Sequence, residues 1–136
     1  MDNEKLFELE IISPDRIFYN GQVSFVEMRT REGDIGVYKK HIPLTVILVP
    51  GLVKIYEPSE PEPKKAIVHA GFAEILENKV TIMAEVAEWP EEIDLNRAEE
   101  ARIRAERRLN EEGEGVNIDR AEAALRRSLA RIEALK

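Results

Sequence analysis

The sequence contains no cysteine, which excludes thiolate catalysis, disulfide scaffolding and cysteine-ligated zinc. Histidine is almost as scarce: His41 and His69 are the only two, and they do not stand at metal-ligand spacing from each other. No apolar run approaches the roughly 20 residues that span a bilayer. The opening residues, MDNEKLFELE, lack the basic segment and apolar core of a secretory signal, so a soluble intracellular chain is expected. Positive charge is in deficit, with 20 Lys and Arg against 27 Asp and Glu and a formal net charge of -7. An acidic surface of this kind disfavours nucleic acid and, by bulk charge, anionic membranes as partners. The phosphate-loop and nucleophile-elbow patterns G-x-x-x-x-G-K-[ST], G-x-G-x-x-G and G-x-S-x-G are all missing. Carboxylates are so abundant that no pair of them is specific. The residues therefore nominate no catalytic and no metal-binding group, and the chain reads as a non-enzyme.

What is present divides in two near residue 89 of the 136. Six of the seven prolines and every large aromatic except Trp89 precede that point, and Pro90 stands at the junction. The order of textures predicts an α+β protein, with a β domain over 1–88 and a helical domain over 89–136. In Phe7-Glu8-Leu9-Glu10-Ile11 strict alternation places three apolar side chains on one face, the mark of a half-buried strand. Similar short runs occur at Gln22–Met28, Leu44–Val49, Leu52–Tyr56, Ala66–His69, Ala73–Leu76 and Val80–Ala84. Asn20-Gly21, Gly33-Asp34, Pro50-Gly51 and Glu77-Asn78 read as the breaks between them, and Pro58–Lys65 as a solvated loop. Many short strands with closely spaced turn signals predict an antiparallel β-sandwich or barrel. His69, within an alternating run, reads as structural.

From Asp94 to about Asn110, Ala98, Ala101, Ala105 and Leu109 recur at helical spacing, with Asp94 placed as N-cap. Gly113 and Gly115 interrupt the pattern, and Ala121, Leu125, Ser128, Ile132 and Leu135 form a second stripe. Asp119 and Glu122 have the spacing of a capping box at the start of that second helix. Two alanine-faced helices joined by a glycine turn form an antiparallel hairpin that buries little area, so it is expected to be held weakly. Most arginines in this half have acidic neighbours one helical turn away: Glu100 for Arg104, Glu106 for Arg102, Glu122 for Arg126. Arg127 and Arg131 have none, and they repel each other by about 0.2–0.5 kcal/mol. Either they form a solvated basic face or an anion bound across the hairpin relieves that repulsion.

The layout resembles the epsilon subunit of bacterial F-type ATP synthases over essentially the whole length. The resemblance is carried by ELEIISPDRIFYNGQVSFVEM, GDIGVYKKHIPLTVILVPGLVKI, VHAGFAEILENKVTIMAE, EEIDLNRAEEARIRAERRL and DRAEAALRRSLARIEAL, in that order. It implies an N-terminal β-sandwich followed by a C-terminal two-helix hairpin. It also implies a non-catalytic rotor subunit whose sandwich binds the gamma subunit and the membrane-embedded c-ring. The hairpin would fold against the sandwich or extend along gamma toward the catalytic alpha and beta subunits, where it brakes ATP hydrolysis. The implied location is peripheral, at the cytoplasmic face of the bacterial inner membrane, held there through the complex. Two arrangements close in free energy can be exchanged by a ligand that prefers one of them.

Two sites carry over by resemblance. In GDIGVYKKH, Asp34 and His41 take the positions of an acidic residue and a histidine that face the c-ring, while Lys39-Lys40 replaces the family's usual Pro-Gly. His41 could equally be a turn residue that caps a strand. The motif [IL]-D-x-x-R-A of nucleotide-binding members is matched by Ile93, Asp94, Arg97 and Ala98, with Glu88, Arg104, Arg127 and Arg131 as supporting positions. No cofactor is required by this reading. ATP enters as a regulatory ligand, its phosphates held by arginines through charge-assisted bonds, and it would stabilise the folded hairpin. The competing reading makes Asp94 only an N-cap and Arg97 a surface residue. Arg102, Arg107, Arg108 and Arg126 would either meet an acidic segment of the catalytic subunits or serve as ordinary solubilising charges. A reading from another class is an autonomous ATP-binding sensor module, which a stable complex with gamma would exclude.

Overall fold

The computed structural model describes residues 5–111 and 117–136. β1 (Phe7–Ser13) realises the alternation read from the sequence, with Phe7, Leu9 and Ile11 inward and buried. It pairs antiparallel with β2 (Arg16–Val23), across a bulge between Ile11 and Ile12. β3 (Phe25–Thr30) pairs antiparallel with β4 (Gly33–Val37). β5 (Leu44–Leu48) and β6 (Gly51–Tyr56) lie end to end, each pairing with both β3 and β7 (Lys64–Ile75). β8 (Lys79–Glu88) returns beside β7 and reaches β1. The strand path β2-β1-β8-β7-β5-β3-β4, with β6 joined to β3 and β7, folds over a single apolar core. The predicted β-sandwich is therefore present. Its β1–β8 pair is parallel, because the first and last strands meet only after the chain has crossed the whole sandwich.

Several strand boundaries differ from those read in the sequence, each for a visible reason. Asn20-Gly21 is not a break but lies inside β2, opposite Glu10 and Leu9. A Cβ at Gly21 would meet the hydroxyl of Tyr19, which donates a 2.7 Å hydrogen bond to Glu57. The glycine makes room for a side chain rather than for a turn. The run Gln22–Met28 is two strands divided at Ser24, whose N–H and hydroxyl both reach the Tyr56 carbonyl. Gly33-Asp34 opens β4, and the turn falls at Arg31-Glu32. The runs Ala66–His69 and Ala73–Leu76 fall, up to Ile75, in one strand, β7, in which Ala70 and Gly71 take φ of 56° and 143°. A Cβ on Gly71 would run into the carbonyl of Met83, so this position needs glycine. Lys64 and Lys65 pair with Ile55 and Lys54, which shortens the loop read over 58–65. The Glu77-Asn78 turn stands as read, closed by Leu76 N–H to Lys79 O.

Trp89 is stacked on Phe18 at 4.2 Å between centroids and packs against the sandwich core. A 3-10 turn, Pro90–Glu92, follows and is tied back by a two-pronged pair from Arg16 to Glu92 at 2.8 and 3.0 Å. α1 (Leu95–Asn110) begins at Asp94, whose carboxylate accepts from Arg97 N–H, so Asp94 does act as N-cap. α2 (Ile118–Ala134) starts earlier than its sequence signal suggests. Its N-cap is Asn117, which accepts from Arg120 N–H, and the Asp119–Glu122 box is not the start because Asp119 already lies in the first turn. The glycine break at Gly113 and Gly115 lies outside the described residues. Ala98, Ala105, Ala121 and Ser128 are buried, as the two stripes predict.

The hairpin lies folded on the sandwich. Ala130 and Ala134 of α2 pack on Ile67 of β7, flanked by Leu52 and Ile93. Two ion pairs cross the seam, Arg131 to Glu88 at 2.8 Å and Arg29 to Glu133 at 3.3 Å. The apolar part of the seam is thus confined to two alanines of α2 and three larger side chains around them.

Candidate functional site

The junction of strand, turn and helix builds a cleft of about 510 Å³ along the seam. The end of β8 supplies Glu88, the 3-10 turn and its exit supply Glu92, Ile93 and Asp94, and α1 supplies Arg97, Ala98, Glu100, Ala101 and Arg104. Arg131 reaches in from α2. Helical spacing explains the α1 contribution: Arg97, Ala101 and Arg104 fall on one face because three or four residues make one turn. Seven of the eight residues nominated for a nucleotide, Glu88, Ile93, Asp94, Arg97, Ala98, Arg104 and Arg131, thus line one cavity. Arg127 does not. It lines the adjacent groove between the helices, which shares Ala101, Arg104 and Arg131 with the cleft.

Glu88 is the electrostatic centre of the seam. Its Oε1 lies 2.7 Å from Nε2 of His69 and 2.8 Å from Nε of Arg131. The His69 hydrogen bond, reinforced by Arg131, outweighs the effect of burial and pulls the Glu88 carboxyl down to about 2 from an ordinary 4.5. A carboxylate so held can only accept, so Nε2 of His69 carries a proton. Nδ1 of His69 is buried and has no hydrogen-bond partner among the described residues. His69 is thus the buried strand residue that its sequence context implies, yet it also orients the carboxylate that engages Arg131. Arg131, without an acidic partner on its own helix, finds one 43 positions away. No periodicity could show that pairing, because it depends on how the hairpin docks.

Chemically, the cleft offers three guanidiniums, the apolar side chains of Ile93, Ala98 and Ala101, and the carboxylates of Glu88, Glu92, Asp94 and Glu100. Guanidiniums suit phosphate oxygens, small apolar residues leave space for a flat ring, and carboxylates accept from exocyclic amines. One oxygen of Asp94 is already engaged in capping α1, and Arg131 is engaged by Glu88. An anionic ligand entering here would compete with Glu88 for Arg131.

Asp34 lies in β4, and His41 lies four residues beyond the end of that strand. Asp34 is exposed and pairs with Nε of Arg29 at 3.2 Å, and the same guanidinium reaches Glu133 of α2. Nδ1 of His41 is 2.6 Å from the carbonyl of Ile42. Around His41 the apolar side chains of Tyr38 and Ile42 are 67% and 79% exposed. The Lys39-Lys40 substitution has a backbone consequence, since Lys40 sits at φ 67°, a region that favours the glycine usual there in the resembling family. Its N–H donates to the Glu77 carbonyl at 2.7 Å. Of the helical basic residues, Arg102 is committed to Glu99 and Glu106 at 3.0 and 2.9 Å.

Two family models together match residues 6–136. A family model described as ATP synthase, Delta/Epsilon chain, beta-sandwich domain, matches residues 6–90, and one described as the long alpha-helix domain of the same chain matches residues 91–136. An ATP synthase epsilon chain of Clostridium kluyveri is 43% identical over 97% of this chain and 98% of that relative. One from Syntrophomonas wolfei is 39% identical over 96% and 95%. Among solved structures, a chain of the Euglena gracilis mitochondrial ATP synthase, in an assembly of OSCP, F1 and c-ring, superposes with a TM-score of 0.86 at 25% identity. It covers 96% of this chain and 82% of that one. A chain of the Tetrahymena thermophila central stalk and c-ring shares the fold, with a TM-score of 0.72 at 16% identity.

Proposed function

This chain belongs to the ATP synthase epsilon chain family, and from that premise we propose that it is a non-catalytic rotor subunit with a nucleotide-sensitive hairpin. The sandwich would bind the gamma subunit and the c-ring. An outward cross-strand row of Ile47, Phe72, Met83 and Ile12 on β5, β7, β8 and β1 supports an apolar contact for gamma. Ile47, Phe72 and Met83 are 51%, 47% and 39% exposed, more than an unpartnered sheet face needs. Tyr38, His41 and Ile42 project at the loop that carries the family's c-ring position. No helix among the described residues is long and apolar enough to cross a membrane, so attachment would run through these partners.

The hairpin would be the regulatory element. Folded, it leaves the catalytic alpha and beta subunits alone; extended along gamma, it restrains ATP hydrolysis. ATP in the seam cleft would favour the folded form, with Arg97, Arg104 and Arg131 at the phosphates and Glu88, Ile93, Asp94 and Ala98 near the base. Arg127 would join through the adjoining groove. The observation that carries this reading is the cleft itself: the motif residues of α1 face a cation of α2 across a weakly anchored joint. A ligand that touches both sides stabilises the joint by mass action. Calorimetry with ATP should show at least a tenfold loss of affinity in Arg97→Ala and Arg131→Ala. Unchanged affinity in both would remove the nucleotide role. In the assembled enzyme, deletion from Asp94 onward should raise ATP hydrolysis without loss of assembly, because Trp89 and Glu92 remain fastened to the sandwich.

A further inference from the structure

His69 is a buried titratable side chain whose hydrogen bonding is incomplete. On β7 it alternates with Ile67, so both point to the outer face of the sheet, which α2 covers. Its Nε2 is taken by Glu88, and in the neutral ring Nδ1 is then a hydrogen-bond acceptor. That nitrogen belongs to a residue only 2% exposed and has no partner among the described residues. Glu88 lines the seam cleft, whereas His69 lines a second cavity, of about 380 Å³, between the sheet and α2. The ring therefore separates the two spaces, with Nε2 toward the first and Nδ1 toward the second.

The sheet makes room for this cavity by breaking its own alternation. The β7–β8 register runs from His69–Val86 to Gly71–Ala84 and passes over Ala70 and Glu85. Ala84 and Ala87 both face the core, and Glu85 and Val86 between them are both exposed on the outer side. A carboxylate thus stands beside the residue that opposes His69. On α2, Ala123, Arg126 and Arg127 fall within about one helical turn and roof the same space. The Glu85 carboxylate and the Arg126 guanidinium have no ion-pair partner among the described residues, and the Arg126–Glu122 pair expected along the helix is not formed. None of the residues lining this cavity lines the seam cleft. Arg127 also faces the groove between the helices, so Arg126 is the cation that belongs to this cavity and to neither of the other two.

We propose that this cavity takes a small apolar α-amino acid, such as leucine, at a site separate from the nucleotide cleft. The ammonium carries three donors, which suit Nδ1 of His69 and the Glu85 carboxylate. The carboxylate suits the paired N–H donors of Arg126, and the side chain suits the apolar walls of Pro50, Val86 and Ala123. One zwitterion answers both signs of charge, which a plain anion or a plain amine does not. The volume lies toward the small end of the roughly 300–1,000 Å³ of ordinary ligand pockets. Because Nδ1 is sealed while α2 is seated, the ammonium reaches it as the helix closes, and the bound amino acid then holds α2 to the sheet. The site stands on the docked geometry alone, and its effect on ATP hydrolysis rests on the hairpin switch proposed above.

The test uses the full chain, titrated calorimetrically with leucine, with and without saturating ATP. Saturable binding that survives saturating ATP is expected. The deamino and the decarboxy analogues of leucine should each bind at least tenfold more weakly. Glu85→Gln and Arg126→Gln should each weaken leucine at least fivefold while ATP affinity stays within twofold, with helix content verified by circular dichroism. In protein carrying nitrogen-15 histidine, leucine should shift the Nδ1 resonance of His69 and leave that of His41 in place. Leucine binding in a chain that does not bind ATP would leave this site standing and remove the nucleotide reading. No saturable binding at millimolar leucine, displacement by ATP, equal binding of either analogue, unchanged affinity in both variants or an unmoved His69 resonance would each overturn the proposal.

Discussion

Breaking the pair between Glu88 and Arg131 should release the hairpin from the sandwich at neutral pH. The docked state buries Ala130 and Ala134 against Ile67, with Leu52 and Ile93 packed alongside, and the two alanine methyls alone contribute about 1.5 kcal/mol at roughly 0.8 kcal/mol per buried carbon. Arg29–Glu133 is half-exposed at 3.3 Å and adds at most a few tenths. Arg131 and Glu88 are 29% and 20% exposed at 2.8 Å, between the surface regime and the buried one. The pair is thus worth about 1–2 kcal/mol, comparable with the two alanine methyls. Its loss lowers the docking constant roughly 5- to 30-fold. Glu88→Gln alone also disturbs His69, so the measurement is a double-mutant cycle with Arg131→Gln, in which the coupling term isolates the pair. The cysteine-free sequence allows two cysteines to be placed at exposed Glu60 and Glu122 for spin-label distances between sandwich and hairpin. A coupling below about 0.3 kcal/mol, with both single variants keeping the docked distance, would refute the assignment of the pair as the latch.

Acid should remove a related contribution. Glu88 is held at about 2, by the His69 hydrogen bond first and Arg131 second, against an ordinary 4.5. A carboxylate depressed in the folded state stabilises fully above the higher value and loses that contribution as pH falls toward the lower one. After allowance for partial solvent exposure this is about 2 kcal/mol, lost between pH 4.5 and about 2. Urea unfolding at neutral pH and midway through that window should show the loss in the parent chain and a flattened profile in Glu88→Gln. Lys40→Gly should raise the melting temperature by roughly 2–4 °C, because a left-handed φ of 67° costs a side-chain-bearing residue about 1 kcal/mol. A lower melting temperature would show that the turn is unstrained with lysine in place.

Much of the architecture was legible because side-chain period is a local property. The alternation of β1 and the alanine spacing of α1 each follow from which face a neighbouring segment must cover. Boundaries were less legible where glycine had more than one use. Gly21 and Gly71 carry the same letter as a turn glycine, but one clears space for Tyr19 and the other lets a continuous strand pass close to the carbonyl of Met83. Asn117 is masked as a cap in the sequence because Asp119–Glu122 carries the more familiar spacing two residues later.

The order of residues alone is enough for the two-part α+β layout, the helix faces and the cap at Asp94. Each of these rests on interactions between positions at most a few residues apart, which the order of side chains encodes directly. Three outcomes emerge on folding alone: β1 and β8 run parallel, Arg131 answers to Glu88, and Arg127 lines the interhelical groove and a cavity beside His69 and Glu85 rather than the cleft of Arg97. Those outcomes depend on contacts between residues tens of positions apart. Such contacts are fixed by how whole faces fit and where charge can be neutralised, quantities that no local pattern contains.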